Sequence, residues 1–419
     1  MINVASQMRY NAPVFTYRAC RAPALPTDSV LPSRFNLRNT MINRNCVAQF
    51  MWLTLLSCPG GLVVAAEPPR HDVPWLAEIQ QIPPELPTPT RPLPSLLVDQ
   101  NRQPISTANR WQAYRSELKQ KWLEFLGPMP EGRPSSTYEV LREEKIEGCM
   151  RQFIKYYAEH DEPVEGYLIK PLASSLRDAQ GRLPGIVALH QTSKTNIEEI
   201  AGVSGGEPHD LGVQLARAGF VVFCPRCYLW QTPPKYEIDV KSTVAYFQRR
   251  HPQTVGMHKM LFDAQRGVDI LVALPDVNPD RIGAIGHSLG GKETLYLAAF
   301  DERIRAAVAS EGGVELASSN WQDPWYLGKR ILAADFQLNH DQVLALVAPR
   351  ALLIVGGETG PGAVDGTRSW PYLKSAMEVY GLYTKPNRLG LINHGKGHTM
   401  PPDVRKRMIE WLTVYLSAS

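Results

Sequence analysis

Hydrophobic residues after position 183 follow two alternating spacings. Short apolar runs, typical of buried parallel strands, alternate with longer segments in which apolar residues recur every three or four positions, as on one face of a helix. The predicted strands are residues 186–189, 220–223, 281–285, 306–310, 351–355 and 388–392. The predicted helices are residues 211–218, 257–271, 292–300 and the last segment from Pro402. This alternation predicts an α/β protein with a mostly parallel central sheet and helices on both faces.

The chain before this alternation adds other elements. Residues 106–126 carry an apolar stripe at helical spacing, and Gly127-Pro128 ends the predicted helix. Three segments read as antiparallel strands, namely residues 137–141, 150–158 and 166–169. Residues 67–104 are rich in proline and predict an extended wrap or linker. We therefore divide this part of the chain into a proline-rich wrap with its helix, 67–136, and a main domain, 137–419.

The first 66 residues have the composition of a leader. Arg44 precedes a short apolar run at residues 46–56, and Val64 and Ala66 stand at positions −3 and −1 of a cleavage site after Ala66. The run is well short of the ~20 apolar residues that span a bilayer. This order predicts a signal peptide and a mature chain that is secreted or periplasmic, without a membrane span.

The predicted signal peptide covers residues 41–66, because such a peptide begins at an initiator methionine and Met41 is suitably placed. Residues 1–40 are then an upstream extension that is not native to the protein. The alternatives are a signal anchor, a genuine extension, and a lipoprotein cleavage box ending at Cys58.

Charge is unevenly distributed and excludes some partners. Residues 1–66 contain six arginines, no lysine and one acidic residue, whereas the remainder has 39 basic and 40 acidic residues. A nearly neutral main chain gives no electrostatic basis for binding nucleic acid or an anionic membrane. The chain is 44% hydrophobic and 21% charged, which is typical of a globular protein.

Three cysteines lie outside the leader, at positions 149, 224 and 227. They are too few for a disulfide framework, and the Cys224-x-x-Cys227 pair has no second pair with which to hold zinc. We predict buried structural thiols and leave a local disulfide open as the alternative.

The segment Gly286-His287-Ser288-Leu289-Gly290 matches G-x-S-x-G, and it follows a predicted strand and opens a predicted helix. A serine at such a turn projects its hydroxyl from the sheet, while the flanking glycines let the backbone pass closely. The helix N-terminus behind it offers the N–H of Leu289 to a developing negative charge. Ser288 is therefore the predicted nucleophile, and an ordinary Gly/Ser turn is the alternative.

A histidine and an acid would complete a catalytic triad. His398 lies between the last strand and the last helix and is the predicted base, with His394 as a competitor. Asp365 is the favoured acid, followed by Glu358 and Glu311, which also lie after late strands. The order Ser288, Asp365, His398 is the order of nucleophile, acid and base found with this turn.

Positions after the predicted strands indicate two further parts of the site, an oxyanion loop and an aromatic substrate pocket. His190-Gln191-Thr192 follows the first parallel strand, where a loop can add a second N–H to an oxyanion hole, so Thr192 or Gln191 would join Leu289. We favour Thr192. Aromatic residues recur in loops after the strands and predict a substrate pocket. Its three principal members are Trp230, Trp321 and Trp370.

Residues 140–418 resemble the α/β-hydrolase superfamily, and within it the secreted bacterial esterases similar to dienelactone hydrolases and acetyl xylan esterases. The resemblance rests on residues 190–192, 279–291, 349–354 and 397–398. It implies the α/β-hydrolase fold for the catalytic domain, 137–419, and ester hydrolysis by Ser288, His398 and an acid without a metal or organic cofactor. Dienelactone hydrolases use cysteine as the nucleophile, whereas this chain has Ser288. Their acid lies only a few residues past the penultimate strand, whereas Asp365 follows a Gly/Pro insertion.

The expected activity is that of a carboxylic-ester hydrolase acting through an acyl-enzyme on a small-molecule or carbohydrate ester, such as an acetylated polysaccharide. A peptidase similar to prolyl oligopeptidases is the first alternative, although residues 67–183 are too few for the propeller that such enzymes carry. A catalytically inactive hydrolase fold that serves as a binding module is the second. The sequence carries no signal for an oligomeric state.

Overall fold

The protein is described by a computed structural model that covers residues 72–193, 195–206, 208–231 and 240–418. The predicted extension, 1–40, and the predicted signal peptide, 41–66, lie outside the described residues. None of the helices in the described part is both long and apolar enough to cross a membrane.

Nine strands of the described chain form one sheet. They are β1 (Glu139–Ile146), β2 (Cys149–Glu159), β3 (Glu162–Pro171), β4 (Leu183–Leu189), β5 (Val221–Pro225), β6 (Val277–His287), β7 (Ile304–Ser310), β8 (Ala351–Gly356) and β9 (Leu389–Asn393). The order across the sheet is β1-β2-β3-β5-β4-β6-β7-β8-β9. Strands β4 to β9 are parallel, while β1, β2 and β3 form an antiparallel extension that joins at β5. The predicted sheet and its antiparallel addition are confirmed.

Helices cover both faces of this sheet. They are α1 (Ala108–Leu126), α2 (Ile197–Ile200), α3 (Leu211–Arg217), α4 (Val240–Arg250), α5 (Gly256–Ala273), α6 (Leu289–Phe300), α7 (His340–Val347), α8 (Trp370–Tyr380) and α9 (Pro402–Tyr415). Side chains of α2, α3 and α9 belong to one core, and those of the other helices belong to a second core. Along β4, Ile186 and Ala188 enter the first core while Val187 and Leu189 enter the second, because successive side chains of a strand point to opposite faces.

The same alternation determines the state of the cysteines. Cys149, Cys224 and Cys227 are buried free thiols, as predicted. Cys224 packs in the core that contains α3, whereas Cys227 packs in the opposite core. The disulfide left open from the sequence is therefore not formed, because the two thiols of the C-x-x-C pair lie on different sides of the sheet.

Helix ends follow local chemistry more closely than the hydrophobic pattern does. The predicted helix over 106–126 begins at Ala108, because the Thr107 side chain accepts a hydrogen bond from the N–H of Arg110 and caps the first turn. Helices α4, α7 and α8 were not predicted, and α7 has only eight residues. Asn339 and Gln342 form a capping box at its start, which is the sequence signal that could have located it.

Candidate active site

Ser288 lies in a strained turn between β6 and α6. Its backbone has φ +59° and ψ −118°, a combination that residues other than glycine rarely adopt. A Cβ at Gly286 would lie 2.3 Å from the carbonyl carbon of Gly290, and one at Gly290 would lie 2.1 Å from the Leu189 oxygen. The Ser288 N–H also donates to Ser310 O at 2.8 Å, which ties the turn to β7. The structure thus supplies the geometry that the motif requires, at the carboxyl edge of the parallel strands.

His398 is brought to this turn by the loop between β9 and α9. Its ring centroid lies 4.6 Å from that of His287, the residue before the predicted nucleophile. The backbone N–H of His398 donates to Pro361 O at 3.2 Å, and the side chain of His398 lies against Gly362. Burial lowers the pKa of His398, while the Gly362 carbonyl opposes this shift. The ring is therefore neutral near pH 7, as a general base must be.

Asp365 is buried in the loop that follows β8. Its carboxylate accepts hydrogen bonds from the N–H groups of Gly313 (2.9 Å) and Val314 (2.7 Å) and from the Ser369 hydroxyl (2.7 Å). Its charge acts to raise the pKa of His398, against the larger effect of burial. Gly362, which lies against the His398 side chain, belongs to the same loop as Asp365.

Glu311, the first residue after β7, is also buried and has φ +50°. Its carboxylate accepts from the N–H groups of Gly357 (2.6 Å), Val364 (2.9 Å) and Asp365 (3.2 Å). Its Oε1 lies 3.7 Å from Nε2 of His394. Burial raises the pKa of Glu311 to about 7, and the backbone N–H groups oppose this shift. Glu311 therefore holds the loop that carries Asp365, and it contacts His394, the competing histidine.

Glu358, the remaining candidate acid, serves the same loop. Its Oε2 accepts from the N–H of Thr367 and from the side chain of Asn393, each at 2.7 Å. These contacts fasten the end of the loop to β9. Its side chain is more exposed than those of Asp365 and Glu311.

The two predicted oxyanion donors, Leu289 and Thr192, occupy different backbone settings. Leu289 is the first residue of α6, so its N–H has no acceptor within the helix. Thr192 follows Gln191, whose carbonyl is bound by Nδ1 of His190 at 2.8 Å. A planar trans peptide points its C=O and N–H in opposite directions, so this bond fixes the direction of the Thr192 N–H.

The protonation of His190 follows from its partners. Its Nε2 is bound by the N–H of Cys227 at 3.1 Å and must accept, so Nδ1 carries the proton and donates to Gln191 O. Burial lowers the pKa of His190 to about 4, and the ring is neutral at working pH. Its edge also packs against Trp230, with centroids 5.0 Å apart. His190 therefore joins the loop after β5 to the loop after β4, which carries the predicted oxyanion donor Thr192.

Lys292 was not identified from the sequence, although it lies four residues, or about one helical turn, after Ser288. Its buried ammonium donates to Gly312 O (2.5 Å) and Ser319 Oγ (2.6 Å) and lies 4.1 Å from the Trp321 ring centroid. Burial lowers the pKa of Lys292 to about 7, and the charge of Asp365 opposes this shift. The Lys292 charge in turn lowers the pKa of His398.

The predicted aromatic pocket is only partly present. Trp321 is fully buried and donates from Nε1 to Gly313 O at 2.7 Å, and Trp370 is a core residue at the start of α8. Both rings pack in the second core, and neither lines the cavity that Trp230 borders, so their place in a substrate pocket stays a prediction. Trp230 is also largely buried, yet it lines a cavity of about 230 Å³ beside the oxyanion loop.

The parallel sheet and the turn at Ser288 are those of the α/β-hydrolase fold. Comparison with known proteins gives the same fold. Residues 165–331 match the Dienelactone hydrolase family. The protein YtaP of Bacillus subtilis (strain 168), provisionally described as a hydrolase, is 25% identical over 313 residues, which are 72% of this chain and all of YtaP. The family match confirms the resemblance seen in the sequence and the predicted hydrolase class of enzyme.

Two solved structures are similar in fold. A glucuronoyl esterase from Solibacter usitatus has a TM-score of 0.61 at 16% identity, covering 79% of this chain and 99% of its own. A CE15 glucuronoyl esterase from Teredinibacter turnerae has a TM-score of 0.59 at 20% identity, covering 77% and 88%. At these identities the likeness establishes the shared α/β-hydrolase fold.

Among the described residues, no group of three or more His, Cys, Asp or Glu side chains could hold a metal ion.

Proposed function

We propose that this chain is a serine carboxylic-ester hydrolase with Ser288 as nucleophile, His398 as base and Asp365 as acid. The observation that carries the proposal is the juxtaposition of two features at one edge of the sheet. One is the positive φ of Ser288 at the head of α6, and the other is the His398 ring packed 4.6 Å from His287. Strain of this kind persists where the surrounding structure enforces it, and it concentrates at active sites.

The reaction follows from these positions. Ser288 Oγ bonds to the ester carbonyl carbon while its proton passes to a ring nitrogen of His398. The N–H groups of Leu289 and Thr192 stabilise the oxyanion. Collapse of this intermediate breaks the bond to the alcohol, which takes the proton from His398. Water then attacks the acyl-serine by the same route, releasing the carboxylic acid and restoring the Ser288 hydroxyl.

Asp365 supports this cycle through its charge. A buried carboxylate stabilises the imidazolium that forms when His398 takes the proton, and the Asp365 charge acts to raise the pKa of His398. Glu311 remains the competing acid, because it too is buried and lies at the end of the strand next to β6. Both residues belong to one hydrogen-bonded unit, since Glu311 accepts from the Asp365 N–H.

For the substrate we propose a carbohydrate ester. The sequence prediction of acetyl esters places the sugar in the alcohol. The two similar structures are named glucuronoyl esterases, a name that places a sugar acid in the acyl group. These two names make a uronate ester the second candidate beside an acetyl ester.

The test is a comparison of Ser288→Ala with the wild type on 4-nitrophenyl acetate, acetylated xylan and the methyl ester of glucuronic acid. We expect the variant to lose hydrolysis of every ester that the wild type cleaves while its melting temperature is retained. Ser116→Ala is the matched control, since Ser116 is exposed on α1 and donates only to Gln112 O. Turnover by Ser288→Ala at the wild-type rate would refute the assignment. Cleavage of a proline-containing peptide but of no ester would favour the peptidase alternative.

We further propose export, as the leader predicts. N-terminal sequencing of protein recovered from the periplasm or medium should give a chain that begins at Glu67. Retention of residues 41–66 on the recovered protein would contradict a cleaved signal peptide.

A further inference from the structure

A cavity of about 230 Å³ lies at the same edge of the sheet as the proposed active site, and Trp230 of its lining packs against His190. Its described walls come from the first residues of β3, the turn after β5, and helices α4 and α5. Strand β3 runs against the parallel strands, so its beginning lies at their carboxyl edge, where the Arg226 N–H donates to Glu165 O at 3.1 Å. The order β3-β5-β4-β6 sets β3 three strands, about 14 Å, from the strand that leads to Ser288.

One side chain links this cavity to the proposed oxyanion hole. Trp230 lines the cavity, and its ring packs edge-on against His190 with centroids 5.0 Å apart. His190 in turn holds the Gln191 carbonyl at 2.8 Å. A ligand in the cavity that contacts Trp230 is thus separated from the oxyanion loop by a single aromatic layer. A substrate held at both places must be longer than one small acyl ester.

The cavity presents aromatic rings surrounded by hydrogen-bonding groups. Tyr228 packs on Phe247 with centroids 5.3 Å apart, and Phe247 packs on His251 at 5.4 Å. Tyr246 is half-buried and lies next to Phe247 on α4. The indole Nε1 of Trp230 is buried without a hydrogen-bond partner in the described structure. Ring faces beside polar groups suit a ligand with an apolar face and polar edges.

The charges of the cavity favour a ligand of low net charge. Its basic side chains are Lys155, Arg226, Arg250 and Lys259, and its acidic side chains are Asp161, Glu162 and Glu165. Many of them are already paired, as in the contacts of Arg250 with Asp161 (2.8 Å) and Glu162 (3.0 Å). Such a lining offers donors and acceptors but leaves little unbalanced charge. Hydroxyl groups fit it better than an anion or a cation.

We propose that this cavity is a subsite for a pyranose ring of the carbohydrate ester, so that the enzyme prefers oligomeric over monomeric esters. The proposal rests on the proposed function, which supplies the carbohydrate ester. The C–H face of the sugar packs against the half-buried ring of Tyr246, and its hydroxyls bond to the charged rim. The ester carbonyl then lies at Ser288, one or more sugar units away.

The kinetic test compares acetylated xylo-oligosaccharides with 4-nitrophenyl acetate. Tyr246→Ala removes a half-buried ring at the mouth of the cavity, and we expect the ratio of kcat/KM for the oligosaccharide to that for the aryl ester to fall about tenfold. Tyr138→Ala is the matched control, because Tyr138 is also half-buried but does not line the cavity, and the ratio should stay at its wild-type value. An unchanged ratio in Tyr246→Ala would overturn the subsite.

A binding test separates the subsite from catalysis. In calorimetry, xylotetraose should bind to the Ser288→Ala protein. Adding Tyr246→Ala should raise the dissociation constant of xylotetraose about tenfold. Absence of binding, or equal binding by both proteins, would overturn the subsite even if esters are hydrolysed. Loss of binding by Tyr246→Ala in a protein that cleaves no ester would refute the proposed function while retaining the sugar site. Tighter binding of a free phenylpropanoid alcohol than of xylotetraose would overturn the choice of a sugar.

Discussion

The buried ring of His190 should orient the proposed oxyanion donor, the N–H of Thr192, through its bond to the Gln191 carbonyl. Substitutions that keep one of the two hydrogen bonds of this ring and remove the other test this dependence. In His190→Asn the side-chain amide replaces Nδ1–H and can still donate to the Gln191 carbonyl, a bond of 2.8 Å in the structure. In His190→Gln the longer side chain reaches the position of Nε2 and can still accept from Cys227 N–H, a bond of 3.1 Å. His190→Ala removes both bonds.

The expected loss in kcat depends on which hydrogen bond of residue 190 each variant retains. Removing one oxyanion donor typically costs 10²–10³-fold in kcat, so we expect roughly a 100-fold lower kcat for His190→Ala and His190→Gln, which leave the Gln191–Thr192 peptide unrestrained. His190→Asn should retain most of the wild-type kcat. KM should change little in all three, because the oxyanion exists only after attack on the carbonyl.

The assay is steady-state hydrolysis of 4-nitrophenyl acetate, with thermal denaturation to show that each variant is folded. Since burial lowers the pKa of His190 to about 4, the ring is neutral from pH 6 to pH 9, and the ratios between variants should not depend on pH in that range. A wild-type kcat in His190→Gln together with a low kcat in His190→Asn would refute the reasoning. It would assign the role to the bond with Cys227 instead.

Four further predictions concern the base and its surroundings. Asp365→Asn should lower kcat by at least about 100-fold with KM nearly unchanged, and a larger loss in Glu311→Gln would transfer the role of acid to Glu311. Because burial lowers the pKa of His398 from 6.5, kcat/KM should rise with pH through a pKa below 6.5, and a rise centred above pH 7 would contradict this assignment. Lys292→Met should move that rise to higher pH, since the Lys292 charge lowers the pKa of His398. An unmoved profile would show that the Lys292 charge does not act on the pKa of His398. Gly362→Ala should lower kcat, because its φ is +76° and the new Cβ would lie 3.0 Å from the His398 Cβ, and an unaffected kcat would show that the ring tolerates a shift of this loop.

The parts of the site that the sequence could predict are those encoded by neighbouring residues. The turn at Ser288 needs glycines two positions before and after it, and the helix and strand on either side are local patterns, so the structure has the turn where the sequence predicts it. His398 could be placed near it because both lie after parallel strands, whose carboxyl ends share one edge. The acid was harder, because Asp365 and Glu311 are distinguished by backbone contacts with distant segments such as Gly313.

Other features depend on packing that no local pattern reveals. All twelve residues of α6 are buried, so Lys292 was hidden in a helix without a polar face. An aromatic residue in a loop can turn inward or outward, and Trp321 turned inward over the Lys292 ammonium while Trp230 came to border a cavity. Residue type alone does not separate these outcomes, since tryptophan is usually largely buried in either case.

The claim that Ser288 is a nucleophile activated by His398 is tested most directly by covalent labelling. The protein is treated with a fluorophosphonate probe at pH 7.5, and the modified peptide is located by mass spectrometry. We predict a single adduct, on Ser288, that forms at least tenfold more slowly in His398→Ala than in the wild type or in the exposed-serine control Ser116→Ala. Labelling of another residue, or the absence of any adduct in protein that hydrolyses an ester, would contradict the account.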